Sequence, residues 1–346
     1  MVGFKIKPLV YTGLGFIGVS FGYAYQKKFY SLKDRPLMYK DKSYPILNDK
    51  DENILMKTAR LVEYLPICLA SKILMHTSNS ITSYNTQYLE QIFNRPKNQG
   101  VISVSNHQTT IDIMLACING LPGKTLLYPS HYPYILNSEE YAFKNKLRAY
   151  FASIVRIMPI RRGDGIYQIE LTDFTNKVKG GNWVHIYPEG RTYQSGPFCD
   201  RAADGCYYTP SGRHSPPNRK LGPLKWGVGR IISECEVTPI ILPFYQLGLE
   251  GIQPQKENRV CVRALPFGGN HATIIYGEPI KVEDILSHYR PLVAEEQDPQ
   301  KKIIIQEEMY KSITERIEQA LEKLENECKQ KEDADMKLIH LSGRKY

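Results

Sequence analysis

The sequence predicts an α/β protein in which a layered sheet is flanked by helices, with an added N-terminal membrane helix and a long C-terminal helix. Three observations predict this architecture. Short apolar runs alternate with helical patterns through the middle of the chain, which is typical of a layered α/β sheet. An uncharged segment occupies residues 8–26. Apolar residues recur at helical spacing over residues 296–330.

The uncharged segment near the N-terminus has the length of a membrane anchor. A helix over residues 8–26 would extend about 28 Å, close to the thickness of the hydrocarbon core. A secretory signal or a targeting presequence is the alternative, but no cleavage site of small residues follows it. Gly15, Gly18 and Gly22 give such a helix a surface that suits close packing against another membrane helix. We predict a membrane anchor and linker at 1–50; whether the anchor spans the bilayer or lies on it stays open.

Residues 51–290 form the predicted central domain. It begins with a helix at 53–75, whose apolar side suits either a membrane interface or a protein core and which Pro66 should kink. Further helices are predicted at 110–117 and 167–179. Seven apolar runs are predicted strands, at 101–105, 125–128, 154–160, 183–187, 238–244, 260–264 and 272–276.

Two segments depart from the alternating pattern. Residues 195–222 are rich in Gly, Pro and Ser, and we predict an inserted loop there. Cys199, Cys206 and His214 lie within it, but their spacing matches no common zinc site, so we predict no metal. At 291–346 we predict an amphipathic helix followed by a polar tail.

The charge balance favours an anionic partner. The net charge is +9 and the pI is about 9.0, which suits acidic lipid, a phosphorylated substrate or nucleic acid. Nucleic acid is disfavoured because no basic block interleaved with aromatic residues is present. The seven cysteines are scattered and form no C-x-x-C pair, which is typical of reduced thiols rather than a disulfide framework.

The first candidate site follows the predicted strand at 101–105. Asn106 and His107 come directly after it, and Asp112 lies five residues beyond the histidine in the first turn of a predicted helix. The loop can fold back so that the carboxylate meets one imidazole nitrogen, which fixes the tautomer and makes the other nitrogen a better base. Taken alone, a loop histidine that merely caps a helix explains this spacing better than a catalytic pair does.

A second polar turn ends another predicted strand about 80 residues later. Pro188, Glu189, Gly190 and Arg191 follow the strand at 183–187. Glycine permits a close approach of the backbone, and the guanidinium offers a fork of donors for phosphate. The glutamate beside them can orient the arginine or a substrate hydroxyl.

The combination of the two turns resembles the glycerolipid acyltransferase family, whose sequence blocks include N-H-x4-D and F-P-E-G. Within that family the run "GNWVHIYPEGR" and the segment "LKWGVGRIISECEVTPIILPFYQLGLEGIQP" resemble the tafazzin group of lysophospholipid transacylases. The run "RIMPIRRGDGIYQ" resembles another block of the family and contains Arg162. The resemblance covers about residues 55–325 and implies a glycerolipid-acyltransferase-like layered sheet.

Three features depart from the family pattern. Tyr187 stands where the family usually has Phe, and Ile113 stands where tafazzins usually carry a second Asp. The 195–222 insertion lengthens the loop after the Pro-Glu-Gly-Arg turn, where it is placed to cover or block the site.

The resemblance implies a phospholipid–lysophospholipid transacylase. His107 and Asp112 would form the catalytic pair, with the histidine as the general base that deprotonates a lysophospholipid hydroxyl. The substrate-binding residues that it implies are Asn106, Arg162, Glu189, Gly190 and Arg191. Neither a cofactor nor a metal is implied, and transacylation does not use coenzyme A.

The implied surroundings are a mitochondrial membrane, most naturally the inner membrane, with cardiolipin or a related phospholipid as substrate. A further partner, another membrane protein or a respiratory complex, would bind the added N-terminal helix. Two alternatives remain open. One is a structural or accessory subunit of an inner-membrane complex that retains the acyltransferase fold, and the other is an acyltransferase that uses acyl-CoA as donor.

Overall fold

The computed structural model describes residues 54–110, 112–113, 119–120, 131–143, 146–194, 207–208, 214–215, 221–255 and 270–341. The chain divides into two compact units. Unit 1 comprises Met1–Leu69 and Gly123–Phe174, and unit 2 comprises Ala70–Pro122 and Thr175–Tyr346. The predicted membrane helix at 8–26, with the rest of 1–50, lies outside the described residues, as do the predicted strands at 125–128 and 260–264.

The described elements are, in chain order, α1 (Ile54–Thr77), β1 (Ser80–Tyr84), α2 (Thr86–Gln91), a 3-10 turn (Ile92–Asn94), β2 (Val101–Ser105), β3 (Tyr134–Ser138), α3 (Glu139–Ala142), α4 (Lys146–Ile154), β4 (Ile157–Ile160), α5 (Ile169–Lys179), β5 (Trp183–Ile186), β6 (Tyr207–Tyr208), β7 (His214–Ser215), α6 (Gly227–Ser233), β8 (Ile240–Leu247), α7 (Leu249–Ile252), β9 (His271–Tyr276), α8 (Glu283–Glu295) and α9 (Pro299–Leu341).

The sheet of unit 2 confirms the predicted layered α/β architecture. Its strands run in the order β1-β9-β8-β2-β5. All neighbours are parallel except β8 and β9, which pair antiparallel. Every residue of β2, β5 and β9 is buried, which is why these strands read in the sequence as short apolar runs.

The pairing of β2 with β5 brings the two candidate motifs to one edge of the sheet. The strands are parallel, with Val101 opposite Trp183 and Val104 opposite Ile186. Their carboxyl ends therefore lie side by side, and the residues that follow them leave the sheet at the same edge. The two turns that the sequence separates by about 80 residues are neighbours for this reason.

The long C-terminal helix is confirmed, and it is longer than predicted. Helix α9 packs on α6, β8 and β9. Gly229 of α6 allows a close approach, because a Cβ there would lie 2.1 Å from the carbonyl oxygen of Tyr310. The predicted polar tail after 330 is helical through Leu341, since Asp335 is buried and accepts a hydrogen bond from Tyr84 Oη at 2.6 Å.

Unit 1 contains the parallel pair β3 and β4 with helices α3 and α4. The strand predicted at 154–160 begins only at Ile157, because Ile154 ends α4 and Arg156 has a φ of +60°. Strands β1 and β3 were not predicted, since their sequences "SITSY" and "YILNS" are partly polar and partly exposed.

Two further findings bear on the predicted segments. The 195–222 insertion includes a short antiparallel hairpin, in which β6 pairs with β7. Helix α1 extends past the predicted residue 75 to Thr77 and includes Pro66. Across the ranges that the structure describes, no helix combines the length and the apolar character needed to cross a bilayer.

Candidate active site

Asn106 fixes the start of the loop that carries His107. Its side-chain Nδ2 donates to the carbonyl oxygen of Gln246 at 2.9 Å, and its Oδ1 accepts the Gln246 N–H at 3.0 Å. The buried amide thus pairs with the backbone of β8 as another strand residue would. The Asn106 side chain was predicted to bind substrate. In the structure both of its polar atoms form hydrogen bonds that hold the end of β2.

His107 and Asp112 form the pair that the spacing predicts. His107 Nδ1 lies 3.0 Å from Asp112 Oδ2, and the side chains are 18% and 0% exposed. Asp112 also accepts the N–H groups of Gln108 at 2.6 Å and Thr109 at 2.8 Å, together with the Thr109 hydroxyl. Since a carboxylate only accepts, the Nδ1 atom carries the proton and Nε2 holds the basic lone pair.

The turn after β5 is closed by its own backbone. The Gly190 N–H donates to the carbonyl oxygen of Tyr187 at 3.0 Å, and Gly190 has a φ of +71°, which favours glycine. A Cβ at this position would lie 2.7 Å from the Nζ atom of Lys225. The Gly190 amide is therefore used within the turn, and what glycine provides here is the close approach of Lys225.

Glu189 joins the two motifs. It is 2% exposed, and its Oε2 accepts the His107 N–H at 2.6 Å while its Oε1 accepts the Gly222 N–H at 2.6 Å. The pKa of Glu189 is raised to about 8: burial is the largest cause, the two amide hydrogen bonds oppose it, and the carboxylates of Asp112 and Glu325 add to it. Both oxygens are occupied by backbone donors, so this side chain holds loops together.

Tyr193 contacts both the backbone of His107 and the side chain of Arg191. The Tyr193 N–H donates to the carbonyl oxygen of His107 at 2.7 Å. Arg191 Nε donates to Tyr193 Oη at 2.8 Å, and its guanidinium carbon lies 4.8 Å from the centre of that ring. Among the described residues no carboxylate forms an ion pair with Arg191, so its charge is not neutralised by one of them.

A set of glutamines braces the loop after the turn, and sequence reasoning missed it. Gln194 Nε2 donates to the carbonyl oxygens of Gln108 at 2.8 Å and Gln253 at 3.1 Å. Its Oε1 accepts the Gln255 N–H at 2.9 Å, and Thr192 donates to the Gln255 side chain. No local signal could have found these bonds, because they join residues about 60 or more positions apart.

Tyr187 and His185 form an aromatic layer behind His107. The rings of His107 and Tyr187 are stacked, with centres 3.8 Å apart and planes inclined by 12°. His185 packs edge-on against Tyr187 at 4.4 Å. Burial lowers the pKa of His185 well below its ordinary value, and the neighbouring His107 lowers it further. The sequence marked Tyr187 only as a departure from the family pattern.

Most of the predicted site residues belong to one unit of the structure. Asn106, His107, Asp112 and the Glu189–Arg191 turn belong to unit 2 and are linked by the contacts above. Arg162 belongs to unit 1, where its guanidinium lies 3.8 Å from Glu140 and is 45% exposed. Its assignment to phosphate binding stays a prediction.

The described residues offer no obvious metal site. No group of three or more His, Cys, Asp or Glu side chains in them is arranged to hold a metal ion. Of the seven cysteines, Cys68, Cys235 and Cys328 are described, and each is a buried free thiol. The insertion's Cys199 and Cys206 lie outside the described residues.

Comparison with known proteins shows which proteins this chain is similar to. Residues 81–245, which contain both motifs, match the Acyltransferase family model. The chain is 29% identical over 216 residues to N-acylphosphatidylethanolamine synthase of Arabidopsis thaliana, a match that covers 62% of this chain and 67% of that protein. It is 27% identical over 260 residues to tafazzin of Drosophila melanogaster, covering 74% of this chain and 58% of that protein.

A further relative gives a match of similar strength. The protein named taffazin of Dictyostelium discoideum is 28% identical over 193 residues, covering 55% of this chain and 58% of its own length. The chain thus spans a little more than half the length of these two tafazzins. Residues 81–245 therefore match an acyltransferase domain, and the chain is similar to tafazzins; together these similarities support a phospholipid acyltransferase.

Proposed function

We propose that this chain transfers an acyl group from a phospholipid to a lysophospholipid, with His107 as the general base. His107 Nε2 takes the proton of the acceptor hydroxyl while the hydroxyl oxygen attacks the ester carbonyl of the donor. When the tetrahedral intermediate collapses, the donor's C–O bond breaks and the proton passes from Nε2 to the departing oxygen. One ester forms and one is broken, so the reaction needs no cofactor.

The contact between His107 Nδ1 and Asp112 Oδ2, at 3.0 Å, is the observation that carries this proposal. It uses one ring nitrogen and leaves Nε2 as the base. The backbone of His107 is held on both sides, since its N–H donates to Glu189 and its carbonyl accepts from Tyr193. A partly exposed imidazole in so rigid a loop suits repeated proton transfer.

The remaining site residues divide between positioning and binding. Asn106 and Glu189 act as positioning residues, because Asn106 uses its polar atoms on the backbone of β8 and Glu189 uses its oxygens on the backbone of two loops. Arg191 binds the lipid phosphate, since its guanidinium uses one donor on the Tyr193 hydroxyl and offers further donors. The assignment of Arg162 to phosphate binding rests on the family resemblance alone.

The apolar surface of α1 supports action at a lipid surface. Leu61, Val62, Leu69 and Ile73 are 37%, 40%, 47% and 62% exposed. At about 100° per residue these positions fall on one side of the helix. The net charge of +9 favours an anionic lipid, so cardiolipin and a mitochondrial membrane, the inner membrane in particular, belong to this proposal.

We also propose that the chain binds another membrane protein. The glycines of the N-terminal segment would pack against another membrane protein, which includes a respiratory complex. Deletion of residues 1–30 should then release the protein from that complex when it is sized in mild detergent. A chain that already migrates alone before the deletion would exclude the partner.

The similarity to N-acylphosphatidylethanolamine synthase favours a second candidate, in which the acceptor is an amine. His107 would then take a proton from the amino group of phosphatidylethanolamine, and the product would be an amide. The two products differ in chemistry, because mild alkaline methanolysis cleaves an ester and leaves an amide intact.

The test uses the full chain with vesicles that contain a labelled acyl donor. Phosphatidylcholine or acyl-CoA serves as donor, and monolysocardiolipin, lysophosphatidylcholine or phosphatidylethanolamine serves as acceptor. We expect transfer from phosphatidylcholine without coenzyme A, lost in His107→Gln and retained in the matched control His288→Gln, whose side chain is exposed on α8.

Three other results would change the assignment. If transfer required acyl-CoA, the chain would be assigned as a coenzyme A-dependent acyltransferase instead of a transacylase. An alkali-stable product would favour the amide. A folded protein without transfer from either donor would favour the structural subunit.

A further inference from the structure

Tyr187 contacts the face of the catalytic imidazole. The ring centres of Tyr187 and His107 are 3.8 Å apart and the planes are inclined by only 12°, which is van der Waals contact over a whole face. Asp112 fixes the direction of Nδ1 but leaves the ring free to rotate about that hydrogen bond. The stacked phenol removes this freedom, because rotation would drive the imidazole into the neighbouring ring.

The hydroxyl of the same side chain reaches the other half of the pair. Tyr187 Oη accepts the N–H of Ile113 at 2.8 Å, and Ile113 is the residue next to Asp112. The first N–H groups of a helix have no partner within the helix, so an acceptor from elsewhere must satisfy them. Phenylalanine would keep the stack but would leave this amide without that acceptor.

The rear of Tyr187 is also held. His185, on β5, packs edge-on against it at 4.4 Å and is fully enclosed. Ser103 Oγ lies 2.9 Å from His185 Nδ1, and Trp183 Nε1 donates to the same Ser103 oxygen at 2.8 Å. A neutral, hydrogen-bonded histidine gives the phenol a rigid backing without adding positive charge beside His107.

We propose that Tyr187 is a positioning residue that holds His107 and Asp112 in one geometry, with its ring on the imidazole and its hydroxyl on the helical turn that carries the carboxylate. The assignment rests on the proposed function only for its effect on turnover. Both Tyr187 and Ile113 depart from the family pattern described above, and the two positions contact each other.

The kinetic test separates the ring from the hydroxyl. Tyr187→Leu removes both contacts and should lower kcat about 100-fold, because the base loses its fixed orientation. Tyr187→Phe keeps the ring and should lower kcat by about tenfold or less, as expected for one lost hydrogen bond. In both variants KM should change less than kcat, since Tyr187 is not assigned to lipid binding.

The matched control is Tyr84→Phe, which removes a partly buried hydrogen bond from the tyrosine hydroxyl to Asp335 in the same unit. It should lower the stability of the protein while kcat per folded molecule stays at the wild-type value. A kcat in Tyr187→Leu equal to that of the wild type would overturn the proposal, and so would equal losses of kcat in the Leu and Phe variants.

A readout that needs no turnover separates this proposal from the proposed function. In selectively labelled protein, the ring protons of His107 should resonate upfield because of the stacked phenol, and His107→Gln identifies the signal by its loss. The upfield shift should persist in Tyr187→Phe and disappear in Tyr187→Leu. If the wild type transfers no acyl group yet shows this pattern, the function fails and the positioning stands; unchanged shifts in Tyr187→Leu would refute the positioning.

Discussion

Two His–Asp pairs occur among the described residues of unit 2, and they differ in the bonding of the second imidazole nitrogen. His107 Nδ1 lies 3.0 Å from Asp112 Oδ2, and His271 Nε2 lies 3.2 Å from Asp335 Oδ2. The side chain of His107 is 18% exposed, whereas that of His271 is 3% exposed. Similar distances thus occur in two very different surroundings.

The second pair has no ring nitrogen left for chemistry. His271 Nδ1 lies 3.1 Å from Ser80 Oγ, and its Nε2 lies 3.1 Å from Thr273 Oγ1 in addition to Asp335. Asp335 also accepts from Tyr84 Oη and Thr273 Oγ1. These bonds join β1, β9 and α9, so the cluster clamps the end of the long helix to the sheet.

The comparison shows that a short His–Asp distance does not identify a catalytic pair. What distinguishes the two is the second nitrogen, which is bonded in His271 and has no partner among the described residues in His107. A general base needs that nitrogen, whereas a clamp gains stability by using it.

The largest expected difference is in turnover. His107→Gln should lower kcat by about 10²- to 10⁴-fold, because the general base is lost, with little effect on stability. His271→Gln should instead lower the melting temperature while kcat per folded molecule stays within about twofold, since the clamp does not touch substrate. Activity assays and thermal unfolding of both variants check this. A comparable loss of kcat from the clamp variant would break the comparison.

The next effect is on stability. Asp335→Ala removes the acceptor for three groups, two buried and one partly buried, and we expect the free energy of unfolding to fall by about 3 kcal/mol. Urea unfolding measures the change, and amide hydrogen exchange should show that the loss is concentrated at the end of α9. Asp333→Ala is the matched control, because Asp333 is exposed on the same helix. Equal effects of the two variants would show that there is no clamp.

A pH effect should distinguish the surroundings of the first pair. The folded-state pKa of Glu189, about 8, lies above its ordinary 4.5, so folding takes up a proton between these values. The stability from this carboxyl is therefore full below pH 4.5, declines as the pH rises, and is lost above about pH 8. Glu189→Gln should flatten the dependence of the melting temperature on pH over that window.

Exposed Glu236 supplies the control for this titration, and Glu236→Gln should leave the shape of the curve as it is in the wild type. An undiminished slope in Glu189→Gln would mean that other groups take up the proton.

The smallest expected effect concerns substrate. Arg191→Lys keeps the charge and loses the planar fork, so KM for the phospholipid should rise about threefold to tenfold with a smaller change in kcat. Arg316→Lys, at an exposed ion pair with Asp284, should leave both constants unchanged. If KM did not respond to the Arg191 substitution, the phosphate would have to be bound elsewhere, which would reopen the assignment of Arg162.

The parts of the molecule that the sequence predicted are those with local causes. The strands β2, β5 and β9 are apolar runs because they are buried throughout, and His107 meets Asp112 because five residues allow the loop to fold back. The extension of α9 was missed because it depends on Asp335, whose partners Tyr84 and His271 lie 251 and 64 residues away.

The supporting bonds of the site escaped prediction for a related reason. The carboxylate of Glu189 and the amide of Asn106 could each bind a substrate. Only the structure shows that they form hydrogen bonds with backbone groups of other segments instead. Residue type indicates which chemistry a side chain can perform, but its neighbours decide whether the side chain is free to perform it.

The insertion is fixed at both of its ends, which has an evolutionary consequence. Gln194, just before it, bonds to Gln253, and at its end the Leu221 N–H donates to Glu325 at 3.2 Å and the Gly222 N–H donates to Glu189. Because both ends of the insertion are held by hydrogen bonds, doubling the number of residues between them costs only about 0.6 kcal/mol of loop-closure entropy. The segment between these ends can therefore change in length or sequence during evolution while His107 keeps its position at the edge of the sheet.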